Sequence, residues 1–206
     1  MPPIPEDLLD FVTLDDSVLP VKSELYAKSK SGPVVPVVNN GPDDYQTPPE
    51  AIVPLLQFIQ PGWTVWEPAC GSGQLVREFK RRGYDVIGTD MLTDQSFLDY
   101  EPEKYDCIIT NPPYSIKQQF LERVYSLGKP FAFLMPLAAL ETQKRQSLYK
   151  KYGLELLIPN RRIHFSVPVS ALTPAGASKS GSYFLTAWFT WGFNIGQNLS
   201  FVDIPA

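Results

Sequence analysis

Strand-like apolar segments and amphipathic helical segments alternate along this chain from Trp63 onward. A strand that is followed by a helix and then by a parallel strand forms a crossover unit, and repeated units give a sheet with helices on both faces. The pattern therefore predicts an α/β fold built on a parallel sheet. The predicted strands are Trp63–Glu67, Tyr84–Thr89, Ser96–Leu98, Tyr105–Thr110, Phe131–Met135, Leu154–Ile158 and Tyr183–Trp191, and the predicted helices are Gln74–Arg82, Lys117–Leu127 and Leu140–Tyr152.

The chain divides by composition into a short tail and one larger domain. Residues 1–43 are rich in proline and weakly patterned, and we expect a tail or an irregular wrap there. Residues 44–206 are predicted to form a single domain. Within it, residues 166–182 are rich in Ser, Ala, Gly and Pro. We expect a flexible loop at 166–182, and a loop of this length inside a compact domain is usually functional or disordered.

The overall composition is typical of a globular protein that works in a reduced compartment. Of 206 residues, 44% are hydrophobic and 19% are charged. No apolar run is long enough to span a bilayer, and the N-terminus lacks the basic and apolar regions of a signal peptide. We therefore expect a cytoplasmic location and no membrane contact. The cysteines, Cys70 and Cys107, and the single histidine, His164, give neither a disulfide framework nor a metal cluster.

The chain has a net charge of −4. It therefore lacks the overall basic charge that is typical of a protein that binds duplex DNA by itself. Positive charge is concentrated locally instead. This charge could contact nucleic acid, or it could belong to a solvated helix face, and the pattern leaves both interpretations open. The residues concerned are Lys144, Arg145, Lys150, Lys151, Arg161 and Arg162, with Lys179 nearby.

The tetrapeptide Asn111-Pro112-Pro113-Tyr114 follows the predicted strand Tyr105–Thr110 without a spacer. Two successive prolines fix φ, remove two backbone donors and restrict the residues before them, which gives a stiff extended turn. The Asn111 side-chain oxygen and the Pro112 carbonyl can accept both hydrogens of a planar NH2 group, while Tyr114 stacks on its face. The alternative is a strand-ending turn with a structural asparagine.

The segment Glu67-Pro68-Ala69-Cys70-Gly71-Ser72-Gly73 ends the first predicted strand and opens a helix. Ligands of open α/β sheets bind at such carboxyl ends, and glycine lets a ligand approach the backbone. Asp90 ends the second predicted strand, where a carboxylate can accept both hydroxyls of a ribose. Asp99 would end the third strand and could accept the amine of an adenine. The alternatives are a tight turn for the glycine segment and turn-capping for the aspartates.

Together these motifs resemble the class I S-adenosylmethionine-dependent methyltransferases, and more narrowly their N6-adenine group of the phage DNA adenine methyltransferase type. Residues Glu67–Gly73 resemble the family's (D/E)PxCGxG, and Asn111–Tyr114 matches its (D/N)PP(Y/F). Upstream, Asp44–Pro48 resembles the aromatic-Thr-Pro cofactor motif. Downstream, Phe131–Pro136 resembles the fifth strand of the family, and Arg162–Phe165 followed by 182–189 resembles phage-type members.

The resemblance implies a fold and a role for each motif residue. The fold would be a Rossmann-like, doubly wound and mostly parallel seven-stranded sheet with an antiparallel last strand. The cofactor would be S-adenosylmethionine, and no metal is implied. Asn111, Pro112, Pro113 and Tyr114 would be catalytic; Tyr45, Thr47, Pro48, Glu67, Ala69, Gly71, Gly73, Asp90 and Asp99 would bind the cofactor; Phe165 would contact the substrate, with plain core as the alternative. Arg162 and Lys179, from the local concentration of positive charge, are further candidates for substrate contact.

The implied reaction is methyl transfer to the N6 amine of adenine in nucleic acid, with DNA preferred over RNA as the partner. Asp99 and Asn111 are too close in sequence for an inserted recognition domain. We therefore expect base recognition to come from 166–182, from the basic residues or from a protein partner. Methylation of RNA adenine, methylation of a protein glutamine amide and a non-catalytic role within a methyltransferase complex remain alternatives.

Overall fold

The computed structural model describes residue 43, residues 45–165 and residues 185–205. The predicted tail up to residue 42, the predicted loop at 166–182 and the candidate substrate residue Lys179 lie outside these residues. The strands of the described part, in chain order, are β1 Thr64–Glu67, β2 Asp85–Gly88, β3 Cys107–Thr110, β4 Phe131–Pro136, β5 Glu155–Pro159, β6 Thr186–Trp191 and β7 Leu199–Val202.

These strands form one seven-stranded sheet in the order β2-β1-β3-β4-β6-β5-β7. Strands β2, β1, β3 and β4 pair in parallel, β6 runs antiparallel to both β4 and β5, and β5 pairs in parallel with β7. The prediction of a mostly parallel α/β sheet is confirmed. The antiparallel strand is β6, and it is not the last strand in the described part of the chain, because β7 follows it.

The principal helices are α1 Gln74–Arg81, α2 Lys117–Leu127 and α3 Gln143–Tyr152. Helix α2 has the predicted bounds, whereas α3 begins later than Leu140 because residues Leu137–Leu140 form a 3-10 helix of their own. A further 3-10 helix, Pro49–Phe58, precedes β1. Among the described helices, none is long and apolar enough to cross a membrane.

Apolar side chains cover both faces of the sheet, as the doubly wound arrangement requires. Within β4, Phe131 and Phe133 point into one core and Ala132 and Leu134 into the other, because successive strand residues face opposite sides. The core that contains Ala132 and Leu134 also takes residues of α1 and of Pro49–Phe58, and the opposite core takes residues of α2 and α3. Packing against both faces of the sheet therefore fixes the positions of the parallel strand ends.

One predicted strand needs correction, and one strand was missed. Ser96–Leu98 is not a strand: it leads into a turn in which Phe97 is 1% exposed and packs on Trp66 with ring centroids 5.2 Å apart. Burial of this ring, rather than backbone pairing, holds the segment. Strand β7 was not predicted. Its residues Leu199 and Phe201 are exposed at the edge of the sheet, so they lack the buried apolar pattern that marks a core strand.

Candidate active site

Three of the candidate residues lie at the carboxyl ends of three adjacent strands. Glu67 ends β1, Asp90 follows β2, and Asn111 follows β3. Strands β2, β1 and β3 are neighbours and run parallel, so their carboxyl ends lie at one edge of the sheet. This is the edge at which open α/β sheets bind ligands. The edge therefore brings together the predicted cofactor motif and the predicted catalytic motif.

The loop after β1 depends on its two glycines. Gly71 has φ +49° and Gly73 has φ +79°, in the left-handed region that favours glycine. A Cβ on Gly71 would lie 3.2 Å from Nε2 of Gln46, which is tighter than ordinary contact. Ser72 donates from its hydroxyl to Oε1 of Gln46 at 2.5 Å. The segment that contains Gln46 therefore lies directly against the glycine loop.

Asp90 holds this loop to the end of β2. Its Oδ2 accepts a hydrogen bond from the Gly71 backbone N–H at 2.8 Å, and its Oδ1 accepts one from Leu92 N–H at 2.9 Å. The turn-capping interpretation of this aspartate is therefore realised in the structure. Each carboxylate oxygen has a second lone pair, so this arrangement leaves acceptor capacity for a ribose hydroxyl.

Glu67 is buried at the centre of the edge, with 1% of its surface exposed. Its Oε1 accepts from the Thr110 hydroxyl at 2.5 Å and from Ala69 N–H at 3.2 Å. Its Oε2 is buried and has no hydrogen-bond partner among the described residues. Burial raises the pKa of this carboxyl to about 8; the hydrogen bonds from Thr110 and Ala69 oppose the shift, and the negative charge of Asp90 adds to it.

Asn111 is oriented by the backbone of the upstream segment. Its Nδ2 donates to the Tyr45 carbonyl at 3.4 Å, which leaves Oδ1 as the free acceptor. That oxygen is buried and has no hydrogen-bond partner in the part of the chain that the structure describes. Pro112 is buried and Pro113 is half-buried, and Tyr114 begins a short 3-10 helix, Tyr114–Ile116.

The upstream segment lines the same site. The Tyr45 ring meets the Phe165 ring edge-on, with centroids 6.2 Å apart. Thr47 is buried, and Pro48 precedes the 3-10 helix that covers the sheet. Phe165 is 7% exposed and belongs to the apolar core, so its core role is realised, while it also contacts a residue at the edge of the site.

Two residues at the site were not among the predicted ones. Thr110 joins the cofactor loop to the catalytic turn, because it precedes Asn111 and donates to Glu67. The signal in the sequence was a polar residue at the end of an apolar run, directly before the Asn-Pro-Pro-Tyr turn; the structure adds that Thr110 is fully buried. Gln46 lies inside the motif Asp44–Pro48 and contacts the glycine loop, but its spacing relative to that loop is visible only in three dimensions.

The remaining candidates are placed elsewhere or cannot be placed. Asp99 lies on an exposed turn rather than at the end of a strand. Arg162 is exposed beyond the carboxyl end of β5. Part of the predicted basic region lies on α3: Lys150 and Lys151 are in its last turn, and Lys144, near its start, forms an ion pair with Glu122 at 2.8 Å.

Metal chemistry finds no support within residues 45–165 and 185–205, where no group of three His, Cys, Asp or Glu side chains could hold a metal ion. Cys70, in the glycine loop, is half-buried. Burial, together with the charges of Glu67 and Asp90, raises the pKa of its thiol to about 11. The thiol is therefore protonated at neutral pH, and it is a poor nucleophile in that form.

No protein-family model and no curated protein matches the chain. Among solved structures, it is similar to a protein of Listeria monocytogenes assigned to the class I S-adenosylmethionine-dependent methyltransferases, with a TM-score of 0.50, 12% identity, and coverage of 82% of this chain and 68% of that one. The chain has the class I methyltransferase fold. Lower similarity links it to an assigned RNA methyltransferase of Pyrococcus horikoshii (TM-score 0.37, 12% identity, 63% of this chain and 73% of that one). A methyltransferase of Thermoplasma acidophilum is similar at a TM-score of 0.31, with 17% identity and coverage of 68% and 60%.

Proposed function

We propose that this protein transfers a methyl group from S-adenosylmethionine to the exocyclic N6 amine of adenine in nucleic acid, with DNA as the preferred substrate. The observation that carries the proposal is the buried Oδ1 of Asn111. It lacks a hydrogen-bond partner among the described residues and follows β3, next to the strand whose glycine loop would hold the methyl donor. A buried polar atom without a partner is costly, so such an atom is expected where a ligand will supply the partner.

The residues beside the glycine loop fit S-adenosylmethionine. Oε2 of Glu67 is a second buried oxygen that has no partner in the described part of the chain; it can donate to a ligand acceptor when the carboxyl is protonated and accept from a ligand N–H or O–H when it is ionised. The left-handed Gly71 and Gly73 leave the backbone open to close approach. Asp90 supplies the acceptor suited to ribose hydroxyls. When bound, S-adenosylmethionine would supply a methyl group that is already activated by its sulfonium.

The catalytic turn fits a planar amine. Oδ1 of Asn111 and the carbonyl of Pro112 would accept the two hydrogens of the N6 amine. These bonds favour a tetrahedral nitrogen whose lone pair is available for attack rather than delocalised into the purine. Tyr114 would stack on the ring, because aromatic side chains hold a base that has left the helix. Positioning of this kind can supply roughly 7–11 kcal/mol, and no covalent enzyme intermediate is required.

The decisive variant is Asn111→Ala. It removes the acceptor for the amine but none of the groups around the glycine loop, so we expect S-adenosylmethionine affinity within about twofold of wild type and methyl transfer reduced by at least roughly a hundredfold. Calorimetry measures the first quantity, and nucleoside mass spectrometry of treated DNA and RNA identifies the product as N6-methyladenine and measures the second. Asn111→Asp, which keeps an acceptor oxygen and matches the family's alternative residue, is the control and should retain part of the activity.

Three other outcomes would change the proposal. Wild-type turnover by Asn111→Ala would contradict the assigned catalytic role. Methylated glutamine in a protein, with unmodified nucleic acid, would favour a protein substrate, since a glutamine amide is also a planar NH2 group. Absence of S-adenosylmethionine binding by the wild-type chain would favour a non-catalytic subunit.

A further inference from the structure

A second concave site lies at the same edge of the sheet, beyond the residues of the proposed active site. It has a volume of about 260 Å³ and lies where β4 and β5 end and β6 begins. We call it the β5 groove; its lining includes Ile158, Pro159, Arg161, Arg162, Leu185 and Thr186. Whole small-molecule sites measure roughly 300–1,000 Å³. The groove therefore suits one planar group rather than a whole cofactor.

The walls of the groove are apolar and its rim is basic. The lining includes the apolar residues Ile158, Pro159 and Leu185, and Leu185 is 57% exposed. Apolar side chains of this kind can hold a nucleobase between them. Arg161 and Arg162 are both exposed, and their guanidinium groups are suited to phosphate oxygens. Apolar side chains that can contact a base, next to cations that can contact a phosphate, match the chemistry of a nucleotide.

Two neutral polar residues, Thr186 and Asn160, are also among the described lining residues. Thr186 is 7% exposed, and its Oγ1 is buried with no hydrogen-bond partner among the residues that the structure describes. Asn160 is engaged: its Nδ2 donates to Asp203 at 2.7 Å and its Oδ1 accepts from Ile204 N–H at 3.2 Å. The groove therefore offers a ligand mainly its apolar surface and the two guanidinium groups.

The groove lies close enough to the proposed active site for one nucleic-acid strand to reach both. Arg162 lines the groove, and Phe165, three positions later, contacts Tyr45, whose carbonyl accepts from Asn111. Three residues span at most about 10–11 Å. The same order of distance follows from the sheet, because β3, β4 and β6 are successive neighbours about 5 Å apart.

We propose that the β5 groove binds a nucleotide flanking the target adenine, with its base between Leu185 and Ile158–Pro159 and its backbone phosphate on Arg161 and Arg162. This inference rests on the proposed function for the identity of the strand, but it concerns binding and not transfer. It also gives the protein a means of holding nucleic acid despite its net charge of −4.

The test measures binding of a short single-stranded DNA that carries one adenine, by fluorescence anisotropy across about 50–200 mM salt. Arg161→Ala should weaken binding about equally for all sequences and reduce the slope of log affinity against log salt by about 0.7. Lys80→Ala is the matched control, because Lys80 is an exposed cation on α1, far from the groove in sequence. We expect the control to leave both affinity and slope near wild type.

Contact with the base is tested by a DNA in which the nucleotide next to the adenine lacks its base. Wild type should bind this DNA about 3- to 10-fold more weakly than the complete strand. Leu185→Ala, which alters an exposed side chain and should leave the fold intact, should bind both strands equally.

The outcomes separate this inference from the proposed function. DNA binding that depends on Arg161 and Leu185 supports the groove even if no methylated adenine is found, in which case only the proposed reaction fails. If the protein methylates DNA but the groove variants bind DNA as tightly as wild type, the proposed role of the groove is wrong and the proposed reaction is unaffected. Failure of the wild-type chain to bind DNA, or binding of a peptide in the groove instead, also overturns it.

Discussion

Two regions of this protein bury a glutamate, and they do so in opposite ways. Glu78, in α1, is 6% exposed and receives hydrogen bonds on both oxygens from the guanidinium groups of Arg81 and Arg82. Glu67, at the end of β1, is 1% exposed and is bonded only through Oε1, by a hydroxyl and a backbone N–H, among the described residues. Hydrogen bonds from Arg81 are the main cause that lowers the pKa of Glu78 to about 2, whereas burial raises that of Glu67 to about 8.

The difference separates a structural carboxylate from a candidate binding group. Glu78 has its charge compensated within its own helix, and a ligand would add nothing to it. Glu67 leaves a buried oxygen without a partner and bears the cost of desolvation, which nothing in its own surroundings offsets fully. Perturbed carboxyls of this kind are concentrated at functional sites. The comparison therefore predicts that changes at Glu67 alter ligand binding, while changes at Glu78 alter only stability.

Glu67→Gln should give the largest effect. It preserves size and removes the ability of the side chain to become an anion toward the cofactor, so we expect S-adenosylmethionine affinity to fall by about 10- to 100-fold in calorimetry. Glu78→Gln is the matched control: it should lower the free energy of unfolding by about 1 kcal/mol, because its arginines are partly exposed, and leave affinity unchanged. Equal affinity losses in the two variants would remove the distinction between the two glutamates.

The pH dependence of stability distinguishes the same two glutamates. Because the pKa of Glu67 is higher in the folded protein than in the unfolded chain, the folded state binds the proton more tightly. The stabilisation is fully present below about 4.5 and is lost as pH rises toward 8, by at most about 1.4 kcal/mol per pH unit. Denaturant unfolding should show this slope in wild type and a smaller one in Glu67→Gln. Glu78 has the opposite sign, since its contribution is present above 4.5 and is lost as pH falls toward 2.

Thr110→Val should have the smallest effect. Loss of its hydroxyl removes one of the bonds that hold the pKa of Glu67 down, so that pKa should rise further and the pH profile of S-adenosylmethionine affinity should move to higher pH. We expect about a 3- to 10-fold change at pH 7. Thr190→Val is the control, because Thr190 is equally buried and donates to the Glu155 carbonyl at 3.1 Å. A profile unchanged in Thr110→Val, or shifted equally in both variants, would contradict the coupling.

The sequence predicted the fold best where the apolar periodicity and the turn residues indicate the same element boundaries. Helix α2 has the predicted bounds, and β1, β3 and β4 lie within a few residues of them, because their apolar runs are bounded by Pro, Gly and Asn. Prediction failed where packing overrides local pattern. Phe97 fills the space beside Trp66 and ends what looked like a strand, and β7 pairs at an edge with apolar side chains exposed.

Within the site, the sequence by itself determined which chemical groups are present. The glycines that permit left-handed turns, the carboxylates at the ends of β1 and β2, and the asparagine before two prolines are all local features of the sequence. The tertiary structure decided which of these groups meet and what each is left to bind. Pairing of β2, β1 and β3 brings distant segments to one edge, and the hydroxyl of Thr110, the carbonyl of Tyr45 and the amide of Gly71 then occupy some acceptors and donors and leave others open. Hydrogen-bond occupancy depends on such long-range contacts, which no local pattern specifies.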